Sequence, residues 1–344
     1  MNHIAKTRFT ATLFIIMTLC ATYARKPSKK ADVTFTDDLG RTVSIQKTEK
    51  VAALQGSLAS LWILSGGSLA AATSDCFIEP PEMSENQAQS FNKTWNTSGF
   101  KAHQKGIFAY LNASQSTVTD VGIMMSPNVE KIIASGAEFV ILSTNIQGHK
   151  KILGLLENVG ITCAFFDYDD FSSYVRIMKI LTDITGRKDL YEQNVLSQST
   201  AIEKIISVAL EKSKKSSPTI LALRASSGKV EAKSSENLAA ATMLKKLGCT
   251  NIADTNSAYK ENLSMEKIIA DDPDFIFVTT MGSNEAKALS FMEETLKSNP
   301  AWKDLNAVKN GAYFVLPREL FHFKPGTRWS ESYRVLSELL YGND

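Results

Sequence analysis

Catalytic chemistry has little to work with in this 344-residue chain. Its four cysteines, Cys20, Cys76, Cys163 and Cys249, are too scattered for a disulfide framework or a zinc ribbon. Beyond the first residues only His103, His149 and His322 remain, too few for a multi-histidine zinc site. Gly-rich phosphate loops, the His-Glu-x-x-His zinc motif and the Gly-x-Ser-x-Gly nucleophile elbow do not occur. The acid pairs Asp169-Asp170 and Asp271-Asp272 suit loops and helix starts. What remains is the chemistry of binding. Arginines such as Arg224 and Arg328 can hold carboxylates or phosphates, and Trp95, Tyr110, Phe321, Phe323 and Trp329 can wall a flat or metal-chelate ligand. The residues therefore point to a protein that is not an enzyme and needs no resident cofactor.

Charge locates those residues further. The formal net charge is +2, and a composition of 44% apolar and 22% charged residues is that of an ordinary globular protein. Residues 1–24 open with Lys6 and Arg8 and continue as an uncharged apolar stretch from Ala11 to Ala21. About 11 residues cannot cross ~30 Å of hydrocarbon as a helix, but they match the core of a signal peptide. Two processing routes stand open: cleavage after Thr22-Tyr23-Ala24, or lipidation of Cys20 in Met17-Thr18-Leu19-Cys20, which resembles a lipobox. Arg25, Lys26, Lys29 and Lys30 give a basic tether over residues 25–32 that suits anionic head groups. Residues 31–344 hold 32 basic and 36 acidic residues, a net −4 that leaves no basic excess for nucleic acid.

The elements that must position the binding residues are legible as a duplication. Residues 127–144, PNVEKIIASGAEFVILST, align without a gap to residues 263–280, LSMEKIIADDPDFIFVTT, with Glu-Lys-Ile-Ile-Ala identical in both. Each copy reads as a short helix and then a buried strand, because FVIL and FIFV lack the alternation of a half-solvated strand. VAALQGSLASLWILSGG (51–67) parallels TILALRASSG and NLAAATMLKKLG (219–248) as strand, small-residue loop and helix closed by Gly. Around Asp38-Leu39-Gly40 the alternation of residues 34–45 predicts a hairpin. Residues 74–117 are polar and too long for a plain connection. Between the copies, residues 188–215 contain no Pro or Gly and place Leu190, Ile202, Ile205, Ile206, Ala209 and Leu210 at helical spacing. That helix would reach about 42 Å. The expected fold is α/β, two similar three-layer lobes joined by one long backbone helix. Its boundaries are a signal peptide over 1–24, a tether over 25–32, an N-terminal lobe over 33–186 with the insertion 74–117, a linking helix over 187–216 and a C-terminal lobe over 217–344.

With these motifs in this order, the chain resembles the helical-backbone periplasmic binding proteins of ABC importers, the binders of iron-siderophore, haem and cobalamin. The motifs that carry the resemblance are TFTDDLGRTVSI, DVGIMMSPNVEKIIASGAEFVIL, LTDITGRKDLYEQ, NLAAATMLKKLGCTNIAD, SMEKIIADDPDFIFV and LPRELFHFKPGTRW. The chain departs from the family in its longer segment 74–117 and in Ser135-Gly136-Ala137-Glu138, where a Pro-Asp pair is usual.

The resemblance implies a monomeric extracytoplasmic protein, exported or membrane-anchored in a bacterium, with a cleft between lobes that move little. It would capture an iron complex, siderophore or haem, and deliver it to an ABC transporter permease dimer. A cobalamin binder or an exported enzyme using the same cleft is the alternative. Glu130 and Glu266 occupy the positions at which the family docks into arginine pockets of the permease. Ligand contacts are expected where strand ends meet the cleft: Gln55, Gly56 and Ser57; Thr144 to Gln147; Arg224, Ser226 and Ser227; Met281 to Asn284. Tyr110 in the insertion and Phe321, His322, Phe323, Arg328 and Trp329 near the C-terminus complete the set, with His322 a candidate axial ligand of iron or cobalt.

Overall fold

The computed structural model describes residues 32–77, 118–255, 259, 263–282, 284–322 and 324–342. The leader, Cys20, the tether to residue 31, most of the insertion with Trp95, His103 and Tyr110, and Phe323 lie outside the described residues. Among the described residues no helix is long and apolar enough to cross a membrane.

β1 (Val33–Thr36) and β2 (Thr42–Ile45) pair as the hairpin anticipated around Gly40. Asp37 fastens it to the lobe: its buried carboxylate takes 2.7 and 3.0 Å bonds from the Arg41 guanidinium and a 3.2 Å bond from the Phe165 N–H. The first lobe is built on β3 (Val51–Ala53), β4 (Leu69–Ala72), β5 (Thr119–Asp120), β6 (Phe139–Ser143) and β7 (Thr162–Phe166). They form one parallel sheet in the order β5-β4-β3-β6-β7. Its helices are α1 (Gly56–Leu64), α2 (Val129–Ala134), α3 (Gln147–Asn158) and α4 (Phe171–Thr185).

The linking helix, α5, runs as Lys188–Tyr191, a π turn over Glu192–Leu196, and Ser197–Ser216. It stops where Ser217 turns left-handed (φ 41) ahead of Pro218, which has no N–H to continue the ladder. The second lobe carries β8 (Thr219–Ser226), β9 (Lys229–Ala232), β10 (Thr250–Asn251), β11 (Phe275–Thr280) and β12 (Tyr313–Val315). Its parallel order is β10-β8-β11-β12, with β9 antiparallel on β8. Its principal helices are α6 (Ala239–Lys246), α7 (Met265–Asp271), α8 (Glu285–Met292), α9 (Arg318–Phe321) and α10 (Trp329–Tyr341). The strand order reproduces that of β4-β3-β6-β7, so the sequence repeat is also a topological one. One element breaks it. β9 stands between strand and helix where the sequence parallel suggested only a small-residue loop.

Both sheet faces are covered, which is why the strands read as unbroken apolar runs. On β6, Phe139 and Ile141 face one layer while Val140 and Leu142 face the other. The outer layers are separate cores. The inner layer is shared: Trp62, Phe139, Tyr174 and Leu181 of the first lobe form one continuous buried cluster with Ile220, Phe277, Trp329 and Tyr333 of the second. The lobes are thus joined by packed side chains as well as by α5, which favours small relative motion.

Candidate ligand-binding site

Each sheet has one point at which its connections leave in opposite directions, between β3 and β6 in the first lobe and between β8 and β11 in the second. Loops diverge there and open a crevice at the carboxyl edge of the strands. Gln55, extended at the N-cap of α1, sits half-buried with Gly56 and Ser57 at the first such point. The Gly56 N–H donates to Asp75 Oδ2 at 2.8 Å, so a carboxylate already faces the positive end of α1. Thr144 to Gln147 leave β6 beside them, and the Asn145 amide donates to Asp167 at the end of β7. Burial, and then the Asp169 charge, raise the Asp167 carboxyl above the ordinary range. This wall is acidic.

The carboxyl edge of the second sheet is cationic. Arg224 lies within β8 rather than in a loop after it, since the strand continues to Ser226 and turns back through Ser227-Gly228 into β9. Ser227 is consequently exposed at a hairpin tip, and Arg224 faces its cross-strand neighbour Glu231 at 3.9 Å. Lys229 and Lys233 stand 2.7 and 2.9 Å from the same carboxylate and hold it down to about 2. One acid therefore serves three cations. Met281, exposed, continues from β11 with its N–H on the Ala225 carbonyl at 2.8 Å.

His322 records the sum of these charges. Burial, followed by the charges of Arg318, Lys324 and Arg224, pushes its imidazole down to about 4, so it is neutral at pH 7 and a cationic field surrounds it. Arg318 and Lys324 escaped notice in the sequence, although Arg318 and His322 stand four apart on one helical face. Lys324 also crosses to the other lobe, donating to the Asp169 carbonyl at 3.0 Å with its Nζ 5.7 Å from the Tyr168 ring. Its backbone is left-handed (φ 64), a conformation that costs a non-glycine residue energy. Among the described residues no three of His, Cys, Asp and Glu gather as metal ligands.

A stability profile follows from the imidazoles. His149 is buried, its Nδ1 accepting from the Ser143 N–H at 3.0 Å and its Nε2 donating to the Met124 carbonyl at 3.0 Å, and burial lowers its pKa also. A histidine whose folded pKa lies below about 6.5 binds its proton first in the unfolded chain. Its contribution is intact above that pH and is lost as pH falls toward the folded value. Between about pH 7 and about pH 4 the protein should lose roughly 3 kcal/mol more than a His322→Asn variant, read by denaturant unfolding. Equal losses would contradict the burial of His322 among cations.

Three of the expected ligand contacts have their partners within the protein itself. Trp329 is 0% exposed, and its ring packs on Tyr168, Phe171 and Tyr174 with centroids 5.9–6.3 Å apart. Its Nε1 donates to the Tyr168 hydroxyl at 3.2 Å. It is a pillar between the lobes, because an indole at the start of α10 meets the strand-end loop of the first lobe. Arg328 gives its Nε to Glu331 at 2.6 Å and is largely buried, so its charge is neutralised within its own helix turn. Phe321 is core as well. Tyr168→Phe, which strands the buried indole N–H, should cost about 1–2 kcal/mol in denaturant unfolding; no loss would mean the bond carries nothing.

Glu130 and Glu266 occupy equivalent exposed sites, each second in its helix. The capping is done by others: Asn128 Oδ1 takes the Lys131 N–H at 2.9 Å and Ser264 Oγ the Lys267 N–H at 3.3 Å. Each helix runs antiparallel to the strand that follows, which sets both glutamates at the crevice edge of their sheets.

Comparison with known proteins agrees with this architecture. The family model described as periplasmic binding protein matches residues 90–320. The Fe(3+)-citrate-binding protein YfmC of Bacillus subtilis is 27% identical over 236 residues, 67% of this chain and 69% of that one. The chain spans 64–69% of the length of the curated relatives it matches. In fold it is similar to the triscatecholate siderophore binding protein FeuA of Bacillus subtilis complexed with ferri-bacillibactin (TM-score 0.61, 21% identity, 90% of this chain and 98% of that one). It is also similar to Staphylococcus aureus IsdE complexed with heme (TM-score 0.62, 16% identity, 86% and 99%). With a family match across two thirds of its length and two lobes of the same strand order, the chain belongs to the periplasmic binding protein family.

Proposed function

We propose that this protein captures an anionic ferric complex, a siderophore-type chelate or haem, between its lobes and delivers it to the membrane subunits of an ABC importer. The observation that carries the reading is the excess of cations at the end of β8, where Arg224, 3.9 Å from Glu231, shares that single carboxylate with Lys229 and Lys233, while Arg318 and Lys324 add to the charge around His322. Such a wall attracts carboxylate or catecholate oxygens already bound to iron. The name of the relative YfmC, a ferric citrate binder, supports the same class. Gln55, Ser57, Arg224 and His322 are the contacts at the two switch points, with Met281 at the rim. Tyr110 belongs to the ligand set by the sequence reading alone. Residues 1–24 direct export and 25–32 tether the chain, with lobes over 33–186 and 217–344 on either side of a linker over 187–216. Docking is assigned to Glu130 and Glu266.

Titration calorimetry of the full chain with ferric citrate, a ferric tris-catecholate and haem tests the ligand class. The expected result is one-to-one saturation by at least one of the three, without turnover, and affinity that falls as salt rises. Failure of all three, or steady conversion of the ligand to product, would overturn the reading.

A further inference from the structure

The duplicated segment retains something its core does not require. In Glu-Lys-Ile-Ile-Ala the first isoleucine of each copy, Ile132 or Ile268, is fully buried and needs no other explanation. The second is not buried in either copy: Ile133 is 40% exposed and Ile269 is 38% exposed. Each stands three residues after the exposed glutamate, on the same helix face. The lysine between them is engaged elsewhere, Lys131 on the Asp120 carbonyl at 3.4 Å and Lys267 on Asp271 at 2.6 Å. A carboxylate and an apolar side chain therefore project together, twice, from lobes of the same strand order.

The first lobe extends this surface. In the turn ahead of α2, Ile123 is 63% and Met125 58% exposed. The turn is fixed from beneath. Ser126 donates to the Ile123 carbonyl at 3.0 Å and Asn128 to the Val121 carbonyl at 2.7 Å. His149 holds the Met124 carbonyl, and Gly148 packs so closely that a Cβ there would lie 2.0 Å from the Met125 carbonyl oxygen. Large apolar side chains displayed by so constrained a turn mark a contact surface.

We infer that each lobe docks through a carboxylate and an apolar contact acting together, Glu130 with Ile133 and Glu266 with Ile269, and that Ile123 and Met125 enlarge the N-terminal half. The occupant is a two-fold membrane partner that presents a cationic pocket with an apolar rim twice, one for each lobe. This rests on the assignment of Glu130 and Glu266 as docking residues. The carboxylates steer and orient, an effect that salt weakens, while the isoleucines supply contact that salt leaves intact.

The test places a photo-crosslinking residue singly at 130, 133, 266, 269 and 125 in the full chain, expressed in its native host. Val208 and Leu210, exposed on α5, serve as controls. The expected adducts from 133, 269 and 125 contain an ABC importer membrane subunit identified by mass spectrometry, and the controls give none. Adducts from 130 and 266 without any from 133 and 269 would overturn the apolar contact and leave the docking assignment standing. No adduct from any of the four would overturn the docking assignment itself. Independently, Ile133→Gln and Ile269→Gln should each weaken binding to the importer in nanodiscs roughly tenfold, with the loss retained at high salt. Unchanged binding of variants that melt normally would contradict the proposal.

Discussion

Charge reversal at both docking positions, Glu130→Lys with Glu266→Lys, should abolish uptake of the iron complex while leaving its affinity in solution unchanged. Both side chains are exposed, and neither helix depends on them for its cap, because Asn128 and Ser264 perform that role. The substitutions should therefore leave the fold intact. At an interface, removing one partner of a hydrogen-bonded charge pair costs about 2–5 kcal/mol, and reversal adds repulsion. Two sites together exceed about 5 kcal/mol, more than three orders of magnitude in association. Paired measurements decide it: uptake in cells dependent on the protein, and calorimetric affinity of the purified variant. Uptake that persists at the native rate would refute the docking role of these residues.

Arg224→Glu is the second large effect. Arg224 is half-buried on β8 and contributes to the field around His322, yet its own ion pair to Glu231 is loose at 3.9 Å. Replacing it leaves Glu231 with Lys229 and Lys233, so the hairpin keeps its charge balance. The ligand loses a charge-assisted donor and gains a carboxylate at the crevice edge. With an effective dielectric near 20, one charge interaction at close range is worth about 4 kcal/mol, which corresponds to a fall of about three orders of magnitude in affinity for a ferric anion. Lys229→Gln, on the exposed side of the hairpin, should change it less than about threefold. Equal effects of the two substitutions would show that the cationic wall does not meet the ligand.

The lobes were readable in the sequence because buried parallel strands leave an unmistakable trace. FVIL and FIFV have no polar alternation, and the helix before each repeats five residues unchanged. Glu130 and Glu266, which the family resemblance assigns to docking, lie within the same repeat. The β8–β9 hairpin was misread because matching the second copy to the first turned Ser226-Ser227-Gly228 into a strand-to-helix loop. A Ser-Gly pair flanked by Ala225 and Val230 was the available signal for a two-residue turn. Trp329 could not be placed from sequence at all, since its burial comes from Tyr168, Phe171 and Tyr174, more than 150 residues away in the chain. The same cause hid Lys324, whose significance lies in its reach to Asp169 across the lobes. Arg318 was hidden differently: beside Glu319 it reads as an ordinary helix-surface residue, and only the fold buries it next to His322.

The central claim, capture of an iron complex, is tested most directly by isolating the full chain from its native host grown under iron limitation with a trace of iron. Metal content and the visible spectrum are then recorded without added ligand. The expected result is about one iron per chain, with the absorption of a ferric chelate or of haem, released intact on denaturation. A corrinoid spectrum with cobalt, or a chain that carries a different molecule and no iron, would contradict it.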